Sequence, residues 1–319
     1  MIKRGAMALA ILCLTALPVL AEDIVVTQYK ADPSGAPFGV AIERGFFKTA
    51  GVEITDVISG EGGGSSVRNV IASSLGYGDV SPAPVIAAIR AGEDVKIVNI
   101  GTNSLASNVV VVMPNSPIRG IQDLKGKKWG ISNPKSLGEL VAVLTVEKAG
   151  LAPQDVQRVA LGSLTGVLTA MESGLIDVTA VPAILFRTRG GDSKYRVILR
   201  PQDLPLVPTA IGIATGDLMK KHPDKLRAIL AGRRDGVRFI NEHPQEAATI
   251  LGPVWDSIPQ PAVDSLVSDL AAARFYSEGR IELEPLQTVV RAMRYVGMLD
   301  GEVDLAGMID RSFLPKDLF

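Results

Sequence analysis

Apolar residues along the chain come in short runs that alternate with helix-spaced stripes. Ile24–Gln28 (IVVTQ) reads as a buried strand, and Pro37–Thr49 as one helix burying Val40, Ile42, Phe46 and Phe47, with Gly51 just past its end. Strand Val52–Ile58, helix Ser65–Leu75, short strand Asp79–Ser81, helix Ala83–Ala91 and strands Val95–Ile100 and Val109–Met113 follow. A second run reads strand Trp129–Ser132, helix Leu137–Ala149, strand Val156–Leu161 and helix Gly166–Ser173. It continues through strand Asp177–Val181, helix Ala183–Arg189 and strand Arg196–Leu199, with a further strand at Ala210–Ala214. Such a rhythm predicts mostly parallel sheets with right-handed crossovers. From Asp217 onward the pattern is almost wholly helical, punctuated by Pro223, Pro244, Pro259, Pro261 and Pro285.

Two proline-rich stretches, Met113–Pro117 and Arg200–Pro208, favour extended connectors and bracket an insert of small-domain size. A faint internal echo aligns residues 71–80 (IASSLGYGDV) with 169–178 (TAMESGLIDV), which pairs Asp79 with Asp177. An ordinary loop with a glycine helix cap explains each copy, and the recurrence fits two similar lobes.

Composition works by exclusion. The chain has 319 residues, more than the roughly 250–300 at which one core stops growing, so two lobes are expected. With 33 basic and 34 acidic residues there is no basic surplus for general nucleic-acid binding. One cysteine rules out a disulfide scaffold and a cysteine zinc site, and two histidines leave little for metal-hydrolase chemistry. Lys3 and Arg4, the apolar run Ala6–Leu17 and Ala21 form the three regions of a secretory signal peptide. Its removal leaves a chain starting at Glu22, with 31 basic against 34 acidic residues and without Cys13.

Gly60–Ser65 (GEGGGS) lacks the third glycine of a dinucleotide fingerprint and follows the second strand rather than the first. Gly126-Lys127-Lys128 lacks the serine or threonine of a phosphate-binding loop, and there is no G-x-S-x-G elbow or H-E-x-x-H. His222 and His243 stand before prolines, where helices change over.

What the sequence does carry is a set of Gly/Ser/Pro/Asn loops after strands, where ligands bind in open parallel sheets. They are 30–36 (KADPSGA), 60–66, Ser81-Pro82, 102–104 (TNS), 133–136 (NPKS) and Pro182-Ala183. Several run into helix N-termini, which favour anions. Helix caps and turns use the same residues, and Ser136 with Glu139 reads equally as a capping box.

PFGVAIERGFFKTAGVEI, SVRNVIASSLGYGDVSPAPVIAA, SPIRGIQDLKGKKWGIS and EKAGLAPQDVQRVALG, in that order, resemble segments of the alkanesulfonate/taurine/nitrate-type substrate-binding proteins of ABC importers. The resemblance runs over roughly residues 24–215. It implies a type II, two-lobed α/β fold, each lobe a mostly parallel sheet flanked by helices, with the ligand cleft between the lobes. Lobe 1 is expected to comprise 22–114 and 208–319, and lobe 2 residues 115–207. Implied too are a periplasmic monomer, a small-molecule ligand, and permease subunits with their ATPase as partners; no cofactor, metal or nucleic acid is expected. Where relatives often carry Glu-Pro, this chain has Val181-Pro182, which puts a charged cleft contact in doubt.

Capture by closure of two lobes is the expected mechanism. The expected contacts from lobe 1 are Lys30, Ala36, Gly62, Gly63, Ser81 and Ser104; lobe 2 supplies Asn133, Ser136 and Pro182, with Thr209 near the returning hinge. Lys30 and Lys135, with the helix N-termini, favour an anionic organic solute: a sulfonate, a carboxylate or a nitrate-like ion. The alternatives are a neutral pyrimidine or flavin precursor, a sensor or chaperone-like module, and a pyrimidine-synthesis-type enzyme of the same fold. That enzyme depends on a cysteine-rich segment, and this chain has no cysteine after residue 21.

Overall fold

A computed structural model describes residues 22–319 except Glu61, Lys135, Pro201, Gln202 and Pro205. The signal-peptide segment with Cys13, and the expected contact Lys135, therefore lie outside the described residues.

The first sheet collects β1 (Glu22–Thr27), β2 (Ile54–Gly60), β3 (Tyr77–Val80), β4 (Val95–Ile100) and β10 (Ile211–Thr215), in the order β2-β1-β3-β10-β4. The second collects β5 (Asn108–Val112), β6 (Lys128–Ile131), β7 (Gln157–Ala160), β8 (Val178–Pro182) and β9 (Arg196–Leu199), in the order β7-β6-β8-β5-β9. In each sheet one strand, β10 or β5, runs antiparallel to both neighbours, and the rest share a direction. That strand is the one that enters from the other lobe. Ile24, Val25 and Val26 are fully buried, as a central strand covered by helices on both faces requires.

The helices are α1 (Ala36–Glu43), α2 (Phe46–Ala50), α3 (Gly63–Ala72), α4 (Pro82–Arg90), α5 (Leu137–Lys148) and α6 (Leu164–Glu172). They continue with α7 (Ala183–Thr188), α8 (Gly216–Lys221), α9 (Pro223–Glu242), α10 (Pro244–Leu251), α11 (Gln260–Ala272) and α12 (Leu283–Tyr295). His222 and His243 stand at the α8–α9 and α9–α10 junctions, as expected.

Four expectations need correction. The helix at Pro37–Thr49 is broken at Gly45, whose φ of 68° only glycine adopts freely. The first crossing lies at residues 101–107, not at Met113–Pro117, because β5 pairs with β8 and β9. Apolar β-branched residues at 109–112 read as strand in either lobe; only pairing assigns the sheet. The echo is also out of register. Ser81 and Pro182 are the equivalent caps of α4 and α7, so Asp79 matches Ala180, while Asp177 precedes β8 and accepts the Lys128 N–H at 2.8 Å. Finally, the C-terminal stretch beyond α12 is mostly irregular and covers the edge of β4. Ile97 N–H donates to Met308 O and Asp310 N–H to Ile97 O, each at 2.9 Å.

Helices tie the lobes on two sides. α12 packs on both α4 and α5, with Arg291 3.7 Å from Glu147 and Arg158 over the Tyr295 ring. On the other side α7 meets α11, where Arg187 pairs with Asp269 at 2.6 Å.

Candidate functional site

The loops at the carboxyl ends of the parallel strands open directly into helices, and most of the expected contacts sit on them. Ala36 starts α1 and is 1% exposed. It belongs to the same buried apolar cluster as Ala183 and Ile184 of α7 and Tyr276, and Pro182 caps α7. Gly62 caps α3: its carbonyl accepts from Ser66 N–H and from the Ser65 and Ser66 hydroxyls. Gly63 is the first residue of that helix, where main-chain N–H groups lack intrahelical acceptors. Ser81 caps α4 in position only; its half-buried side chain makes no capping bond.

Other expected contacts have structural partners. Thr209 Oγ1 lies 2.9 Å from Thr102 Oγ1, and Thr209 N–H donates to that same oxygen at 2.8 Å. One threonine belongs to each crossing, so the pair pins the two hinge segments together. Ser104 Oγ accepts the Ala106 N–H and shapes the first crossing. Ser136 caps α5 through the Glu139 N–H at 3.3 Å, and Glu139 pairs with Arg158 at 3.0 Å. Asn133 is exposed and donates to Gly162 O at 3.4 Å.

Lys30 lines a cavity of about 520 Å³ in the first lobe, with Tyr29, Glu43, Asp56 and Val254. Burial and Asp56 push the Tyr29 phenol up to about 12. A second cavity of about 550 Å³ follows β9 and Arg200 on the other lobe. Apart from Lys30, none of the expected contacts lines either cavity.

Behind the loops lies a buried charge cluster. Arg233 of α9 and Asp79 of β3 are each 1% exposed and 3.3 Å apart. The guanidinium also donates to Gly101 O at 2.6 Å and Ser277 O at 2.8 Å and stands over the Phe38 ring. A Cβ on Gly101 would lie 2.7 Å from both Asp79 oxygens, so only glycine lets the first crossing start against the carboxylate. Burial pushes the Asp79 carboxyl up to about 6; Arg233 opposes the rise and Asp32 adds to it. Segment 275–279 runs beside the crossing, with Tyr276 opposite Thr102 and Ser277 N–H donating to Gly101 O.

The sequence reading placed Asp32 and Thr102 in its candidate loops without singling them out, and missed Arg233 and Tyr276 as elements of this region. The Asp32-Pro33-Ser34 turn carried a local signal for Asp32. Arg233 and Tyr276 carried none, because their partners are distant in sequence. Among the described residues no group of His, Cys, Asp or Glu could hold a metal ion, and no helix is long and apolar enough to cross a membrane.

The model of the NMT1/THI5-like family matches residues 32–247. A curated protein of Bacillus subtilis (strain 168), named for aliphatic sulfonate binding, is 23% identical over 289 residues, covering 89% of this chain and 85% of that one. The periplasmic aliphatic sulphonate binding protein SsuA from Escherichia coli superposes with a TM-score of 0.73 at 18% identity, over 91% of this chain and 92% of that chain. The fold also occurs in the desulfurization enzyme DSZB, at a TM-score of 0.62 and 17% identity, over 92% and 97% of the two chains.

Proposed function

The chain belongs to the NMT1/THI5-like family, and from that premise we propose that it is the solute-binding component of an ABC importer. It captures a small anionic organic solute by closing two lobes and hands it to the permease. The observation that carries this reading is the double crossing between two similarly built sheets, pinned by Thr102 and Thr209. A hinge of two linked segments permits closure while keeping the lobes in register. The main-chain donors at α3 and the hydroxyl of Ser81 favour an oxyanion, and the sulfonate-binding relatives point to the same class. Export to the periplasm as a monomer, with residues 1–21 removed, completes the reading.

A desulfurization enzyme with this fold makes catalysis the second reading. A thermal-shift screen across sulfonates, carboxylates, nitrate and neutral pyrimidines tests the proposal, since a ligand of the native state raises the midpoint. The active solute should also lower the radius of gyration in X-ray scattering and be recovered unchanged by mass spectrometry. Recovery of a converted product establishes the enzyme reading instead, and a screen in which no solute raises the midpoint overturns capture.

A further inference from the structure

The cavity of about 520 Å³ in the first lobe holds a polar side chain that neither the hinge nor the helix caps use. Besides Tyr29 and Lys30, its walls come from α1, β2 and the end of α10. The β2 residues there, Asp56 among them, belong to the first half of that strand, whereas the loop that opens α3 follows its far end at Gly60.

Tyr29 is 8% exposed, and Trp255 Nε1–H donates to its carbonyl at 3.3 Å, which holds the main chain. Its ring lies across two glycines, the cap of α1 and the fourth residue of that helix. A Cβ on Gly35 would stand 2.8 Å from ring atom Cδ2, and one on Gly39 would collide with the hydroxyl oxygen. Gly39 itself lines the cavity, so this slot delivers the hydroxyl to the cavity wall. There the hydroxyl has no hydrogen-bond partner among the described residues. Phenylalanine would fill the slot equally well, and a buried phenol with an unused hydroxyl calls for an explanation.

The charges around it indicate what it meets. Glu43 and Asp56 line the cavity against Lys30, and none of the three has an ion-pair partner among the described residues. Asp56 Oδ1 accepts the Val57 N–H at 2.7 Å, which leaves its other oxygen for a ligand. Burial and then Asp56 raise the Tyr29 phenol, so it stays neutral and its oxygen can accept. Ile42 and Val254 supply an apolar wall, and the volume is that of a small-molecule site. Two carboxylates and a phenol oxygen beside hydrocarbon suit a protonated amine on an apolar body. We propose that this cavity is a binding site in its own right for a small organic ammonium ion. The cation sits between Glu43 and Asp56, one N–H donates to Tyr29 Oη, and the hydrocarbon body lies on Ile42 and Val254. The proposal does not depend on the solute-binding reading.

Nuclear magnetic resonance on the isotope-labelled exported chain tests it with benzylammonium against benzyl alcohol and butylammonium against butan-1-ol. At least one ammonium should shift the amide signals of Tyr29, Gly39 and Val57 saturably in the millimolar range. It should bind about fivefold or more tighter than its alcohol, the scale of two exposed ion pairs. Glu43 and Asp56 are both exposed, so the double variant Glu43→Gln, Asp56→Asn should fold, and it should bring that ratio within about twofold of unity. Tyr29→Phe keeps the ring in its slot and should weaken the ammonium severalfold. Lys30→Met removes a like charge and should tighten the ammonium, which a packing role for these residues would not produce. Equal binding of the alcohols, a ratio that survives the double variant, or no tightening by Lys30→Met overturns the site. So does the absence of saturable shifts at these amides with both ammonium ions. Each of these results leaves the proposed function standing.

Discussion

Replacing Arg233 with Met tests how the hinge is anchored. The substitution keeps the stem volume against Phe38 and removes the counter-ion of Asp79 together with donors to Gly101 O and Ser277 O. Breaking a buried pair by deleting one partner costs about 3–5 kcal/mol, or a drop of roughly 10 °C in Tm for a chain of this size. The pH dependence separates this from a packing defect. Asp79 titrates near 3.8 when unfolded and at about 6 in the native chain. Between those values the native state holds the proton more tightly. Its contribution to stability is therefore greatest below 3.8, falls as pH rises through the window, and stays lower above 6. Asp79→Asn removes this titration, so wild type and variant should diverge by about 1–1.5 kcal/mol between pH 5 and pH 7. Asp32 carries a shift of the same sign, and Glu172, Glu278 and Asp317 carry the opposite one, so the difference between the two curves is the quantity to read. Because Arg233 lowers Asp79, Arg233→Met should raise it further and cost less at pH 5 than at pH 8. Urea unfolding at pH 5, 6, 7 and 8 measures all three proteins. Parallel curves for wild type and Asp79→Asn, or an Arg233→Met cost under about 1 kcal/mol at pH 8, refute the reasoning.

The cavity that Lys30 lines holds none of the other expected contacts, so Lys30→Met should leave affinity for the natural solute within about twofold; a tenfold loss by calorimetry makes this lysine a solute contact. The Arg187–Asp269 pair spans the lobes, with Asp269 largely exposed, so Arg187→Gln should weaken solute binding by no more than about fivefold. The scattering radius of the solute-free protein should rise in that variant, and an unchanged radius rejects a latch. N-terminal sequencing of exported material should begin at Glu22, and a start at Met1 removes the signal-peptide reading.

Most of the secondary structure was legible because it is local. Runs such as IVVTQ are too apolar to face water, and glycines mark where helices stop; strands Val95–Ile100 and Arg196–Leu199 were read to the residue. Family-like segments carried the two-lobed fold in the same way, since each is a contiguous stretch. Loops at strand ends were legible as a set of caps and turns, but their roles were not. Thr209 reads as any small polar residue until Thr102 comes within 2.9 Å across 107 positions of sequence. Val109–Val112 forms a strand in either lobe, and only its hydrogen bonds to β8 and β9 place it in the second. Arg233 looks like a surface residue of an amphipathic helix; burial against Asp79, Gly101 and Ser277 makes it the anchor of the crossing. Periodicity and turn chemistry are carried by neighbours in the chain, so the sequence alone determined the elements and their rhythm. Pairing, burial and charge compensation depend on groups that meet only after folding, so the tertiary structure decided the crossing points, the hinge pin and the buried charge cluster behind the loops.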